Sequence, residues 1–234
     1  MKEKTAVLFS GGKDSCLALH KAIKMGDDVR VLISVMPEIK DSLMFHTPDA
    51  RLLEKQTEML GLPLMTKKTK ARSEDEELND LIKIISDAKE KYKIKKLVIG
   101  GIASNYQGQR IKKICDKVGL EVSVPLWNYT AEKLWQELLG EGFKVVLIKI
   151  SCEGLPKEFL GRVIDKKMLV ELKKLSEKYK FRLDFEGGEA ETAILFMPEF
   201  KNEIKIEFSV ESEGEYRHFL KNIRVFDGDQ NSFK

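Results

Sequence analysis

Three cysteines in 234 residues, Cys16, Cys115 and Cys152, are too few and too scattered for a disulfide framework, and the odd number fits a reducing cytoplasm. No CxxC pair occurs, and no His/Cys spacing suggests zinc. An iron–sulfur cluster would need the thiols together. Cys16 and Cys115 instead fall on the apolar faces of expected helices, where a thiol packs as a small hydrophobe. Long apolar runs are missing too, so no segment reads as a membrane span. Met1-Lys2-Glu3-Lys4 leads into a strand pattern without the apolar stretch of a signal peptide. Net charge is scarce as well: 41 − 38 gives +3, too little to announce stable nucleic-acid binding. The run Lys67-Lys68-Thr69-Lys70-Ala71-Arg72 reads first as a solvated stretch, with a polyphosphate screen or an acidic protein surface as alternatives.

Charge of both signs is what the chain has in plenty. The charged share of 34% lies above the usual quarter or so, and the excess is Lys and Glu together, as in heat-adapted, thermophile proteins. The hydrophobic share of 42% is ordinary, and the length suffices for one large or two modest domains without staples.

The first half alternates strand and helix patterns. Thr5–Phe9 is a short apolar run, after which Cys16, Leu19 and Ile23 keep a helical period up to Gly26. Val29–Val35, Leu62–Thr66, Lys96–Ile99 and Glu121–Val124 read as further strands. Asp49 caps a helix that carries Leu52, Leu53, Met59 and Leu60 and ends at Gly61. Ser73-Glu74-Asp75-Glu76 is a capping box, and Asn105 caps a helix reaching Val118. This alternation predicts an α/β domain with a doubly wound parallel sheet over residues 1–126. Beyond Pro125 the pattern changes. Helices at Thr130–Leu139 and Lys166–Lys178 flank a strand at Lys144–Ile150, and Ala193–Met197, Ile204–Val210 and Arg217–Val225 read as extended. A second, smaller α+β domain over 127–234 is expected.

Ser10-Gly11-Gly12-Lys13-Asp14-Ser15 lies between the first strand and the first helix and has the makings of an anion cradle. The two glycines let backbone approach a phosphate closely, and the helix start aims unpaired N–H groups at it. Ser10 and Ser15 add hydroxyls, Lys13 a mobile positive charge, and Asp14 the hard oxygen that Mg²⁺ prefers. The spacing is neither that of a Walker A loop nor GxGxxG. In open α/β sheets ligands sit outside the carboxyl ends of the strands, which brings Ser34, Met36, Gly100 and Gly101 into consideration for the nucleotide.

Glu186-Gly187-Gly188-Glu189-Ala190-Glu191-Thr192 sets three carboxylates around a flexible pair of glycines. Such a cluster suits a metal, an ammonium or a quaternary ammonium group, and a solvated acidic turn is the alternative. Phe185, Trp127 and Tyr129 are the aromatic faces that a quaternary ammonium would use if they converge. His46 suits a phosphate contact, a proton acceptor or a plain loop position equally well. His20 in a helix and His218 in a strand read as structural.

The Ser10–Ser15 stretch resembles the PP-loop of the N-type ATP pyrophosphatases, with their adenine nucleotide alpha hydrolase-like fold. That superfamily includes asparagine, NAD and GMP synthetases, argininosuccinate synthetase and several tRNA-modifying enzymes. The resemblance implies ATP cut between its α- and β-phosphates, with Mg²⁺ at Asp14 and with Lys13, Asp14 and Ser15 catalytic. Three further stretches, Phe45–Leu53, Gly100–Gln107 and Glu186–Thr192, together with Pro125-Leu126-Trp127, resemble the diphthine–ammonia ligase family, which performs the last step of diphthamide formation on translation elongation factor 2. The likeness runs from the first strand to about Met197, and the acidic stretch is what narrows superfamily to family. It implies a cytoplasmic ligase that uses ammonium. His46, Asn105, Trp127, Glu186, Gly187, Gly188, Glu189 and Glu191 are then the substrate-binding residues. Two departures are present: the family often carries an aromatic where this chain has Ala190, and the C-terminal extensions of eukaryotic members are absent. The rivals are a PP-loop tRNA thiolation enzyme, which would want paired cysteines and a basic face, and a protein that holds ATP without turning it over. Oligomeric state is not written in the sequence, and a homodimer is kept open. Because the acidic stretch lies more than 170 residues from the loop, it must fold back toward it.

Overall fold

The computed structural model describes residues 2–37, 49–69, 74–101 and 105–228. The chain divides into two compact units: Met1–Ser10 with Asp14–Asn128, and Gly11–Lys13 with Tyr129–Lys234.

The first unit is built from β1 (Lys4–Leu8), α1 (Lys13–Lys24), β2 (Asp28–Pro37), α2 (Ala50–Leu60), β3 (Leu64–Thr69), α3 (Glu74–Tyr92), β4 (Lys96–Val98), α4 (Asn105–Val118) and β5 (Glu121–Ser123). Its five strands pair in the order β3-β2-β1-β4-β5, every pair parallel. Side chains alternate across the sheet. Ala6, Val31, Ile33, Val35 and Leu97 pack with Leu81, Ile85, Ile111 and Cys115 of α3 and α4. Val7, Leu32, Ser34 and Val98 point the other way and are buried as well, so both faces are covered. This is the doubly wound arrangement that the alternating pattern predicts. Both ends of α2 follow the expected chemistry. The Asp49 carboxylate accepts from the Arg51 and Leu52 N–H groups, and Gly61 closes the helix in the left-handed conformation at φ 64°. The Ser73 capping box and His46 lie outside the described residues. So does the Asn105 side chain, although its helix is described. Strand order runs outward from β1 through β2 and β3, then restarts on the other side with β4. The switch point therefore lies at the carboxyl ends of β1 and β4.

The second unit holds α5 (Ala131–Gly140), β6 (Lys144–Ser151), a 3-10 turn at Lys157–Phe159, α6 (Lys166–Tyr179), β7 (Ala190–Phe196), β8 (Ile204–Ser212) and β9 (Arg217–Asp227). Its four strands form an antiparallel sheet in the order β7-β6-β9-β8. Thr130 and Asp165 cap the two helices by accepting from Lys133 and Met168 N–H groups. Trp135, Leu138, Val145, Leu147, Met168, Phe185 and Ile194 are buried, and the Trp135 indole N–H donates to the Leu183 carbonyl at 2.9 Å. The 3-10 turn and the bends around it had no pattern in the sequence from which to be predicted.

Candidate functional site

The Ser10–Ser15 loop follows β1 at the switch point, and its residues divide between the two units. In the first unit, Ser10 is exposed and lies 3.2 Å, oxygen to oxygen, from the Ser15 hydroxyl, which also accepts from the Ser10 N–H. Ser15 is buried and Asp14 partly so, both in the opening turn of α1. Gly100, just past β4, packs against this turn. A Cβ on it would meet the Asp14 and Ser15 backbone at 2.7 Å, so glycine is needed there for packing before any ligand is considered. Gly101 has no described atom within 4 Å of its Cβ position. Ser34 is buried in β2 opposite Thr66, and Met36 is partly exposed opposite Lys68.

Gly11, Gly12 and Lys13 pack with the second unit. Gly11 turns with φ 75°, and its carbonyl accepts from the Ile194 N–H of β7 at 3.1 Å. The Lys13 N–H donates to the Thr192 hydroxyl at 3.1 Å. The Lys13 side chain is buried, with its ammonium 5.9 Å from the centroid of the Phe185 ring. Phe185 sits at φ 60°, a conformation that a bulky residue rarely adopts. It is held there by Trp135, edge-on at 6.1 Å, and Phe181, stacked at 6.3 Å.

The acidic stretch is braced from within. Glu189 accepts two backbone N–H groups, from Arg182 at 3.0 Å and from Gly187 at 2.9 Å. A Cβ on Gly187 would stand 2.5 Å from the same carboxylate, so a larger residue there would push the Glu189 side chain aside, while Gly188 turns at φ 86°. Glu191 takes the Lys149 ammonium at 2.7 Å, and Glu186 is exposed with its N–H donated to Asp184 at 3.1 Å. Asp184 is buried and doubly bonded by the Arg182 guanidinium at 2.8 and 2.9 Å. Burial alone would raise its carboxyl. The Arg182 hydrogen bond, the Glu186 N–H and the charges of Arg182 and Lys13 outweigh burial and hold it below the usual carboxylate range. Among the described residues no group of three His, Cys, Asp or Glu side chains is gathered to hold a metal. Mg²⁺ carried by ATP needs less, since one or two carboxylates beside the phosphates suffice. A half-buried carboxylate at Asp14, next in sequence to the Ser15 hydroxyl, fits that donor set.

The diphthamide synthase N-terminal domain model matches residues 3–122, and the C-terminal domain model matches residues 130–226. The chain is 31% identical to human diphthine–ammonia ligase over 88% of its own length and 84% of the relative's. The bovine protein of that name matches at 30% over the same shares. The chain belongs to the diphthamide synthase family. A fission-yeast family member is 30% identical over 86% of this chain but only 36% of its own length. Most of that yeast protein's length is thus unmatched by this chain, whereas the human and bovine relatives are matched over most of theirs. A solved U34-tRNA thiolase from Methanococcus maripaludis, containing a [4Fe-4S] cluster, covers 76% of this chain and 66% of its own at 16% identity, with a TM-score of 0.38. That likeness is too distant to bear on activity.

Within this family member the aromatic candidates part company. Phe185 is buried beneath Lys13. The Tyr129 ring carries the Lys133 ammonium at 4.1 Å, and its hydroxyl donates to Glu137. Trp127, 39% exposed, is the most exposed of the three rings. Thr192, Asp184 and Arg182 escaped the sequence reading, although they hold the loop and the acidic stretch. Thr192 closes the acidic stretch, yet nothing in its spacing marks its hydroxyl as a partner for residue 13. Cys16 and Cys115 are fully buried among apolar side chains, as their helical positions suggest.

Proposed function

We propose that this chain is an ATP-dependent amide ligase that converts diphthine on translation elongation factor 2 to diphthamide. The diphthine carboxylate oxygen attacks the α-phosphorus of ATP, and the bond to pyrophosphate breaks. Ammonia, supplied as ammonium, then attacks the acyl carbon. The carbon–oxygen bond to AMP breaks, and the nitrogen sheds its extra proton to solvent. The observation that carries this reading is the glycine loop at the switch point, with the first turn of α1 behind it and Lys13 buried beside it. Backbone N–H groups and the Lys13 charge suit the pyrophosphate that accumulates negative charge as it leaves, which is electrostatic stabilisation and positioning without a covalent protein nucleophile. Mg²⁺ at Asp14 would add charge neutralisation on the phosphates. Ser34, Met36 and Gly101 are read as the adenosine side of the site. Glu186 and Trp127 are read as substrate contacts, while Glu189 and Glu191 shape the bend that presents Glu186. Among the described residues no helix is long and apolar enough to cross a membrane, and a cytoplasmic location completes the reading.

Incubation of the purified protein with ATP, ammonium and diphthine-bearing elongation factor tests it. AMP should form only when the modified factor is present, and Lys13→Ala or Asp14→Ala should abolish it. AMP release that depends on tRNA, or no turnover at all, would overturn the proposal.

A further inference from the structure

We infer that Thr192 is a positioning residue: from strand β7, 179 residues along the chain, its hydroxyl takes the Lys13 N–H and holds the glycine loop in shape. The inference rests on the reading of the loop as the seat of the ATP phosphates.

A helix begins with N–H groups that have no partner inside it, and a side chain on the preceding residue ordinarily takes one. The residue before α1 is Gly12, which has no side chain to offer. A bulkier cap would fill the space that a phosphate needs, so cap and cradle compete for the same position. The structure separates them. The Thr192 hydroxyl accepts the Lys13 N–H at 3.1 Å, and two residues on, the Ile194 N–H donates to the Gly11 carbonyl at 3.1 Å. β7 is the edge strand of its sheet, so this N–H faces away from β6. These ties bracket Gly11 and Gly12, the residues with the widest backbone freedom in the loop, and hold Gly11 at φ 75°. The Thr192 oxygen, having accepted from Lys13, retains its own proton to offer an anion. The Lys13 side chain is steadied from the same unit, by the ring of Phe185.

Untying the loop adds an ordering requirement to ATP binding without removing any apolar packing. The test compares Thr192→Val, which keeps the shape and removes the hydroxyl, with Thr192→Ser, which keeps the hydroxyl. Affinity for the Mg²⁺ complex of a non-hydrolysable ATP analogue is measured by calorimetry, alongside the thermal midpoint without nucleotide and the separate kcat and KM for ATP. Thr192→Val should weaken the analogue and raise KM about tenfold, the worth of one hydrogen bond at the upper end of the ordinary range. Its kcat should stay near that of the wild type, its ligand-free midpoint should fall by no more than the loss of that one hydrogen bond, and Thr192→Ser should restore affinity to within about twofold. Wild-type affinity in Thr192→Val overturns the inference. So does equal weakening in Val and Ser, which would assign the effect to the methyl group. Should Thr192→Val fail to fold, Thr192→Ala against Thr192→Ser probes the same hydroxyl: weakening in Ala alone supports the inference, and equal affinities overturn it. Failure of the wild-type protein to bind the analogue would sink the ATP reading itself, and the inference with it.

Discussion

Alanine at Gly100 separates packing against the loop from room for a ligand. Its methyl group would lie 2.7 Å from the Asp14 carbonyl carbon and the Ser15 nitrogen, and 2.8 Å from the Asp14 oxygen. Ordinary contact begins at 3.4 Å, so the shortfall is 3.4 − 2.7 = 0.7 Å. A side-chain tip could swing aside, but these atoms are backbone at the start of α1, and the turn itself has to move. Overpacking of this kind costs about 1–3 kcal/mol, and the upper half of that range applies because three backbone atoms are struck together. The displaced turn carries the N–H groups proposed to face the phosphates. A misplacement of about 1 Å can cost roughly a hundredfold, so nucleotide affinity should fall by about tenfold or more. Gly101→Ala is the companion. Nothing described lies within 4 Å of its Cβ position and its φ is not in the left-handed region, so stability should hold or rise by about 0.4–1 kcal/mol. Urea denaturation read by circular dichroism, with ATP-analogue titration of each variant, measures both effects. Equal stability of the two variants would refute the reasoning, because it would mean that the loop backbone yields freely at Gly100.

Asp184→Asn should cost about 1–2 kcal/mol at pH 7 in urea denaturation, the worth of its charged hydrogen bonds. The Asp184 carboxyl is depressed in the folded protein, so its contribution is present above the unfolded value of about 4 and is lost as pH falls through the lower folded value; the gap between variant and wild type should close in acid. Lys96 sits against Asp27, with both side chains about nine-tenths buried and Glu3 at 3.5 Å. Lys96→Met should cost about 3 kcal/mol by stranding Asp27, and a second change, Asp27→Leu, should recover much of it. Burial would lower the Lys96 ammonium, but Asp27 and Glu3 prevail and raise it, so its stabilisation is present below the unfolded value and lost as pH rises through the folded one. The Cys152 thiol is pushed up to about 11 by burial and the Glu189 charge. At pH 8 it should alkylate at least about tenfold more slowly in the native protein than in urea, as followed by mass spectrometry; equal rates would contradict the placement.

Much of the first unit was legible because its signals are local. Asp49 and Gly61 mark the ends of α2 by side-chain and backbone chemistry that acts within three or four residues, and the cysteine positions follow helical periodicity. Strand ends were less legible. β7 starts at Ala190 rather than Ala193 because Ala190 pairs with Ile150, a long-range match without a local trace. The Ser10–Ser15 loop could be singled out as a candidate from its composition, but the reason for Gly100 could not, since its neighbours, Asp14 and Ser15, lie 86 and 85 residues earlier in the chain. Carboxylates at Glu189 and Glu191 look alike on paper and differ in space: one takes two N–H groups, the other a lysine. A positive φ at an aromatic such as Phe185 runs against local preference and is visible only once the surrounding stack is seen.

The assignment of Gly11–Lys13 to the second unit bears on the order in which a growing chain acquires its parts. A ribosome releases residues 11–13 early and the tethers at Thr192 and Ile194 about 180 residues later. The five strands of the first sheet can assemble while synthesis continues, since domains generally fold as units from the N-terminus. The loop cannot take its final shape until β7 has emerged. A nascent or truncated chain that stops before Ala190 should therefore carry the whole phosphate sequence and a formed sheet, yet grip nucleotide poorly. Nucleotide-analogue titration of such a truncated chain against the longer one is the check.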